Sequence, residues 1–127
     1  MAKTSGITTT VTVASNAISD DVVSIDLDTP YGVQDITAVD DVAMARLILR
    51  ADATGTLNGI FNTASSMSHA TLKTPGAKTV VIAYAGGAAT ATFTAIFSNY
   101  AVTMGTDGSL TWSTNFALSN ATALAWT

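Results

Sequence analysis

Residues 79–100, TVVIAYAGGAATATFTAIFSNY, carry no charged side chain and are long enough, as a helix, to cross a bilayer. Two features rule that helix out. Gly86-Gly87 interrupts the run, and Thr90, Thr92 and Thr94 fall on every second position among apolar neighbours. Alternation of period two is the mark of a strand with one buried face, and a Gly pair between two such runs marks a reversal. The stretch therefore predicts a β-hairpin, Lys78–Ala85 turning at the glycines into Ala88–Tyr100.

The same pattern extends in both directions. Ile7–Ser15, ITTTVTVAS, sets Val11 and Val13 against Thr10 and Thr12. After a turn at Asn16, Ala17–Asp28 sets Val23, Ile25 and Leu27 against Ser24, Asp26 and Asp28. Pro30 and Gly32 break the pattern, and Val33–Ala38 reads as a short strand or an arm. Ala51–Asn62 returns to strand character, with Gly55 and Gly59 marking a bulge or close packing. Ser65–Lys73 fits a short helix or a loop, closed by Pro75-Gly76. Asp107-Gly108 signals a second hairpin, joining Val102–Met104 to Leu110–Leu118, where Leu110, Trp112, Thr114 and Phe116 share a face. Ala121–Thr127 is expected to add a last strand or to dock as an arm through Trp126.

One segment reads as a helix, about residues 38–50. Thr37 is placed to cap it, with Asp40 three positions on. Asp40 and Asp41 in the first turn and Arg46 and Arg50 in the last complement the helix dipole. Met44, Leu47 and Ile48 give it an apolar stripe, extended by Val39 or Val42. The expected fold is thus a single mainly β domain over residues 1–127, an antiparallel sandwich or barrel-like sheet with one flanking α-helix.

Composition limits the functions available. The chain has 127 residues, 48% hydrophobic and 11% charged, with five basic residues against nine acidic ones, all Asp, and no Cys. Without Cys there is no disulfide framework, thiolate nucleophile or Cys-ligated metal. A net charge of -4 with scattered cations argues against gripping nucleic acid, which needs clustered Lys and Arg. Charge is also lopsided, since from Thr79 onward only Asp107 is ionised. Surfaces of small soluble domains usually carry about a quarter to a third charged residues, so self-association that covers this surface is expected. Met1–Ser15 has Thr alternation in place of an apolar h-region and does not read as a signal peptide. The chain reads as soluble, with no membrane partner.

Each candidate catalytic constellation has a plainer reading. His69 is the only histidine, with Ser66 three residues before it and no GxSxG elbow. An ordinary surface or packing role is the stronger reading for it. Asp26 and Asp28 lie two apart on one strand face, a pair able to hold a cation or to act as acid and base. Asp20-Asp21 and Asp40-Asp41 form similar pairs, but the calcium-loop pattern is missing and a solvated acidic face is the simpler account. No catalytic residue, cofactor site or metal site is expected.

Two stretches carry a family resemblance. Residues 18–62, ISDDVVSIDLDTPYGVQDITAVDDVAMARLILRADATGTLNGIFN, and residues 107–127, DGSLTWSTNFALSNATALAWT, resemble segments of the tail tube (major tail) proteins of long-tailed bacteriophages. Those proteins have a "SIDLDTP" strand, a "GVQDIT" loop, an Asp-rich helix ending "ERLL"-like and a "GTLNGIFN"-like strand, then a closing hairpin with "GSLTWS" and a final Trp. Ala45 stands here where that helix would carry Glu. The two segments cover about half the chain, and residues 63–106 carry no such signature.

The resemblance implies a β-sandwich with a flanking helix. Copies close edge to edge into rings, expected to be hexameric, and rings stack into a hollow tube through which DNA is ejected into the host. It implies a virion tail location after assembly in the host cytoplasm. Beyond the chain itself, it implies a tape-measure protein, a tail terminator and tail-tip proteins as partners, with DNA passing through the lumen without sequence-specific binding. Asp26 and Asp28 are the candidate lumen-facing acids. Tyr31, Arg46, Arg50 and Trp126 are the candidate contacts between rings or subunits. The alternative is a capsid-decorating or adhesin-like β-domain that binds a surface without forming tubes.

Overall fold

The computed structural model describes residues 5–127. Among these residues ten strands form in order: β1 Thr10–Val13, β2 Asn16–Ala17, β3 Val22–Asp28, β4 Tyr31–Asp35, β5 Arg46–Ala51, β6 Thr54–Ile60, β7 Gly76–Tyr84, β8 Ala89–Met104, β9 Leu110–Leu118 and β10 Ala125–Trp126. The single α-helix among the described residues, α1 at Ser68–Leu72, lies between β6 and β7. All strand pairs are antiparallel. One curled sheet runs β2-β1-β7-β8-β9-β6-β3, with β10 also on β8, and β4 and β5 pair only with each other.

The expected hairpin is present, β7 pairing with β8 from Tyr84↔Ala89 to Gly76↔Phe97 across the Gly86-Gly87 turn. Gly86 and Gly87 both have positive φ, a conformation open to Gly at no steric cost. β8 does not stop at Tyr100. A register shift between Phe97 and Asn99 bends it, and it continues to Met104 against β9. A bulge bends a strand without ending it, so two expected strands are one long bent strand. Its first half pairs with β7 and its second half with β9.

Alternation sorts the side chains as the period-two reading requires, except at Val23, which a register shift in β3 leaves exposed while Val22 packs on the core beside Ile25 and Leu27. Val11, Val13, Val80, Ile82, Phe93, Phe97, Trp112 and Phe116 face inward and, with Ile18, Leu57 and Leu72, make one buried core. Trp112 donates its indole N–H to the Ile60 carbonyl at 2.9 Å, so its polar edge is satisfied in the core. Gly59 makes room for that ring. A Cβ there would stand 2.5 Å from Trp112 Cζ2 and collide with the Asp21 carbonyl. Gly59 thus serves close packing, and a register shift lies opposite it on β3, between Val22 and Ser24.

The expected helix over residues 38–50 is replaced. Residues 36–45 form a loop and Arg46–Ala51 form β5. The residues that look like helix caps are used by the loop. The Thr37 hydroxyl accepts from Ala45 N–H at 2.8 Å and donates to its carbonyl at 3.2 Å, while Asp41 Oδ2 accepts from Ala38 N–H at 2.7 Å. Short polar side chains serve caps and tight loops by the same hydrogen bonds, and here the loop wins. The dipole role for Arg46 and Arg50 falls with the helix. The one helix belongs instead to the Ser65–Lys73 segment.

Candidate functional site

Three surfaces stand out: a polar face, a pair of free strand edges, and an arm. The polar face is the side of β3, β6, β9 and the second half of β8 that points away from the core. Strand register aligns its residues in rows. Asp26, Thr56, Asn115 and Asn99 form one row, and Ser24, Asn58, Ser113 and Ala101 the next. The Thr56 hydroxyl donates to Asn115 Oδ1 at 3.0 Å, and Asn58 Nδ2 donates to Ser24 Oγ at 3.0 Å. Asp26 and Asp28 are both exposed on this face, two residues apart as period two requires. None of these four strands contains Lys or Arg. The face is therefore hydroxyl- and amide-rich, with carboxylates as its only charges.

Both margins of that face lack strand partners among the described residues. β3 pairs only with β6 and ends the sheet. β7 leaves β8 at Phe97, so residues 98–104 pair with β9 alone. Each margin is about seven residues of unpaired backbone, the template on which another strand adds. Lys73 and Pro75 lie beside the β8 margin, around Ser98 and Asn99. The sequence reading passed over this margin, because the bend at Ser98 that frees it leaves no breaker residue in the sequence.

The arm is the β4–β5 pair with its loop. It packs on itself, Gly32 lying against Leu49, and every residue of Tyr31–Ile36 is exposed. Register puts Val33 opposite Ile48 and Gln34 opposite Leu47, so apolar groups point to both sides. Val33, Leu47 and Leu49 are each about half exposed and Ile48 about two thirds, and at the tip Val39 and Val42 are exposed in full, at 107% and 104%. A lone two-stranded ribbon is marginal in water, and an apolar one marks a surface awaiting a partner.

The sequence candidates are not gathered in one place. Tyr31, Arg46 and Arg50 all lie on the arm, Tyr31 and Arg50 near its foot and Arg46 opposite Asp35 toward the loop. Trp126 is elsewhere, on β10, stacked on Tyr84 with ring centroids 6.1 Å apart and about half its surface exposed. Burial of Tyr84 pushes its hydroxyl pKa up. The sequence puts Val39 or Val42 on a helix stripe, whereas the structure places both at the arm's tip. The signal that could have found it is the run Leu47-Ile48-Leu49, which is apolar on both faces of a strand.

A polar cluster ties α1 to the sheet. Asp21 is buried, and its carboxylate accepts from Asn62 Nδ2 and from Ser68 N–H, each at 3.0 Å. Burial alone would raise its pKa, but those hydrogen bonds outweigh burial and hold it below the ordinary carboxylate value. His69 Nδ1 shares a 3.1 Å hydrogen bond with the Tyr100 hydroxyl, and the ring packs between Phe61 and Tyr100. Burial and the nearby Asp21 charge push the Tyr100 pKa up. His69 thus engages a phenol, not a serine, and the Asp21 carboxylate fastens backbone and amide, not the imidazole. The cluster is arranged as a clasp. Among the described residues no group of three or more His, Cys, Asp or Glu is set to hold a metal, and no helix is long and apolar enough to cross a membrane.

No protein-family model matches the sequence, and no curated protein does. Solved structures do share the fold. A chain of the virion of a native gene transfer agent particle superposes with a TM-score of 0.77 at 10% identity, covering 98% of this chain and 99% of the other. A chain from the tail of an empty gene transfer agent particle, with C6 symmetry, gives 0.67 at 12% identity over 84% and 82%. A chain of the 6-fold symmetrised baseplate of the anti-feeding prophage gives 0.62 at 11% identity over 100% and 97%. The chain therefore shares its fold with chains of tail, virion and baseplate particles.

Proposed function

We propose that the chain is a structural subunit of a phage tail tube, built from stacked rings of itself around a lumen through which DNA passes. One observation carries the reading. A curled sheet with two free margins of matched length bounds a face whose only charges are carboxylates. Pairing of β3 on one copy with residues 98–104 of β8 on the next would extend the sheet from copy to copy and close it into a ring. Closure removes the sticky margins of every copy at once.

In such a ring the polar face lines the lumen. Hydroxyls and amides hydrate it, and Asp26 and Asp28 repel phosphates, so DNA slides without being held. The arm, apolar on both sides, reaches a copy in the adjacent ring, with Tyr31, Arg46 and Arg50 carried on it. This use of the arm rests on its exposed apolar side chains and on the family resemblance. Non-enzymatic work, a location in the virion tail and partners at the tube ends belong to the same proposal. They are supported by the fold shared with tail and baseplate particles.

Negative-stain electron microscopy of the purified chain, concentrated alone, tests this. Stacked rings or hollow tubes are the expected result. Uniform small particles at every concentration, with a folded circular-dichroism spectrum, would turn the reading toward a decorating or adhesin-like domain.

A further inference from the structure

The arm carries at its two ends surfaces that fit each other. At its foot, Arg50 and Ala51 of β5 join Leu118 of β9 and Ala121 and Ala123 of the loop before β10 to line a groove of about 440 Å³. Its walls are aliphatic and mostly small, and its single charge is a guanidinium. At the tip, Val39 and Val42 stand fully exposed on either side of Asp40 and Asp41. Asp41 is already committed to Ala38 N–H. Asp40 is left as the exposed carboxylate between two valines.

A copy's own tip cannot reach its own foot. Arg50 is the fifth residue of β5, so at about 3.3 Å per residue even the end of the loop at Ala45 is held roughly 16 Å from Arg50, and Val39 and Val42 lie beyond it. The occupant therefore comes from another copy. The groove between β1 and β3, lined by Ile7, Val11, Val22, Val23 and Tyr84 among others, offers comparable room but no cation to meet Asp40. We infer that the arm tip of one copy, Val39–Val42, docks in the arm-foot groove of a second copy, the valines against the alanine and leucine walls and Asp40 on Arg50. The inference rests on the tube reading for where the second copy sits, but its chemistry stands on the two surfaces. Tip-to-foot contact is heterologous, so each copy gives one tip and receives one, and the contact propagates from copy to copy.

The chain has no cysteine, so introduced thiols report only on each other. Val42→Cys and Ala123→Cys single variants, mixed and oxidised under the conditions used for microscopy, should give a covalent dimer linking positions 42 and 123. Either variant alone should give none above background. Adding Asp40→Arg to the first or Arg50→Asp to the second should abolish the cross-link, and combining both reversals should restore it. A mixture that cross-links no better than the single variants overturns the inference. If that happens while the wild-type chain forms stacked rings, the tube reading survives. A charge-restored 42–123 cross-link in a chain that never forms rings upholds the docking and sinks the tube.

Discussion

Val39 and Val42 gain nothing for the isolated fold, because both are exposed in full at the tip of the arm. Whatever they contribute must come from a neighbour. Burying a valine side chain is worth at least about 1.5 kcal/mol, so hiding both contributes on the order of 3 kcal/mol per contact. Replacing both with serine (Val39→Ser and Val42→Ser) keeps the loop's size and its hydrogen bonds, which come from Thr37, Ala38, Asp41 and Ala45. The monomer should therefore unfold within about 0.5 kcal/mol of wild type, as surface substitutions usually do. Polymerisation should not be spared. At about 1.4 kcal/mol per tenfold, the loss raises the critical concentration for stacking on the order of 100-fold. Sedimentation of polymer across a concentration series measures it, with single rings and small oligomers left in the supernatant. An unchanged critical concentration, with unchanged monomer stability, would refute the claim that the exposed tip is an assembly contact.

Other outcomes test the fold and the lumen. Gly59→Ala drives a methyl into the Trp112 ring and the Asp21 carbonyl, and overpacking of that kind should cost roughly 1–3 kcal/mol in urea unfolding, whereas Gly6→Ala, whose nearest neighbour is Thr9 Oγ1 at 3.6 Å, should be neutral. The depressed pKa of Asp21 means that the folded state gains stability above the ordinary carboxylate range and loses it as pH falls through the lowered value. Asp21→Asn should remove that acid step and cost about 1.5–3 kcal/mol at neutral pH, because an amide cannot accept from both Asn62 and Ser68, and unfolding midpoints measured across pH would show both effects. Replacing Asp26 and Asp28 with lysine should leave the monomer folded but turn the polar face basic, so that polymer co-sediments with DNA fragments in a salt-dependent way that wild type does not show. Equal DNA retention by both would remove the carboxylates from the lumen.

Alternation made the sheet legible. Val80 and Ile82 on β7, Phe93 and Phe97 on β8, and Trp112, Thr114 and Phe116 on β9 are buried on the faces that period two assigns them. The arm was not legible, for a specific reason. Met44, Leu47 and Ile48 satisfy helical spacing, and Thr37, Asp40 and Asp41 satisfy the chemistry of a helix start, yet both signals are local. Propensity is a weak prior against tertiary structure. Leu47, Ile48 and Leu49 in succession leave a strand apolar on both faces, a pattern that makes sense only with covering chains that the single sequence does not contain. The polar face was half legible. Asp26 and Asp28 could be placed on one side of a strand, but that Thr56, Asn58, Ser113 and Asn115 join them depends on β6 lying between β3 and β9, which alternation does not encode.

The scarcity of charge in the second half pointed to coverage by other copies, and the fold relocates that argument. After Thr79, Val80, Ile82, Phe93, Phe97, Trp112 and Phe116 are already hidden in the chain's own core, while Ile96, Val102, Met104, Leu110 and Trp126 stay exposed. Low charge there suits strands that spend one face on the core and the other on a polar wall of Thr, Ser and Asn. The densest uncovered apolar surface belongs to the first half, from Tyr31 to Leu49, amid three of the carboxylates and one of the arginines. Charge and apolar exposure together are what a directional contact needs. Apolar groups supply the driving force, and charges reject a wrong partner or register. A chain built this way can stay dispersed at low concentration and still polymerise in one geometry, because the surface that would make it sticky is the surface that carries its charge pattern.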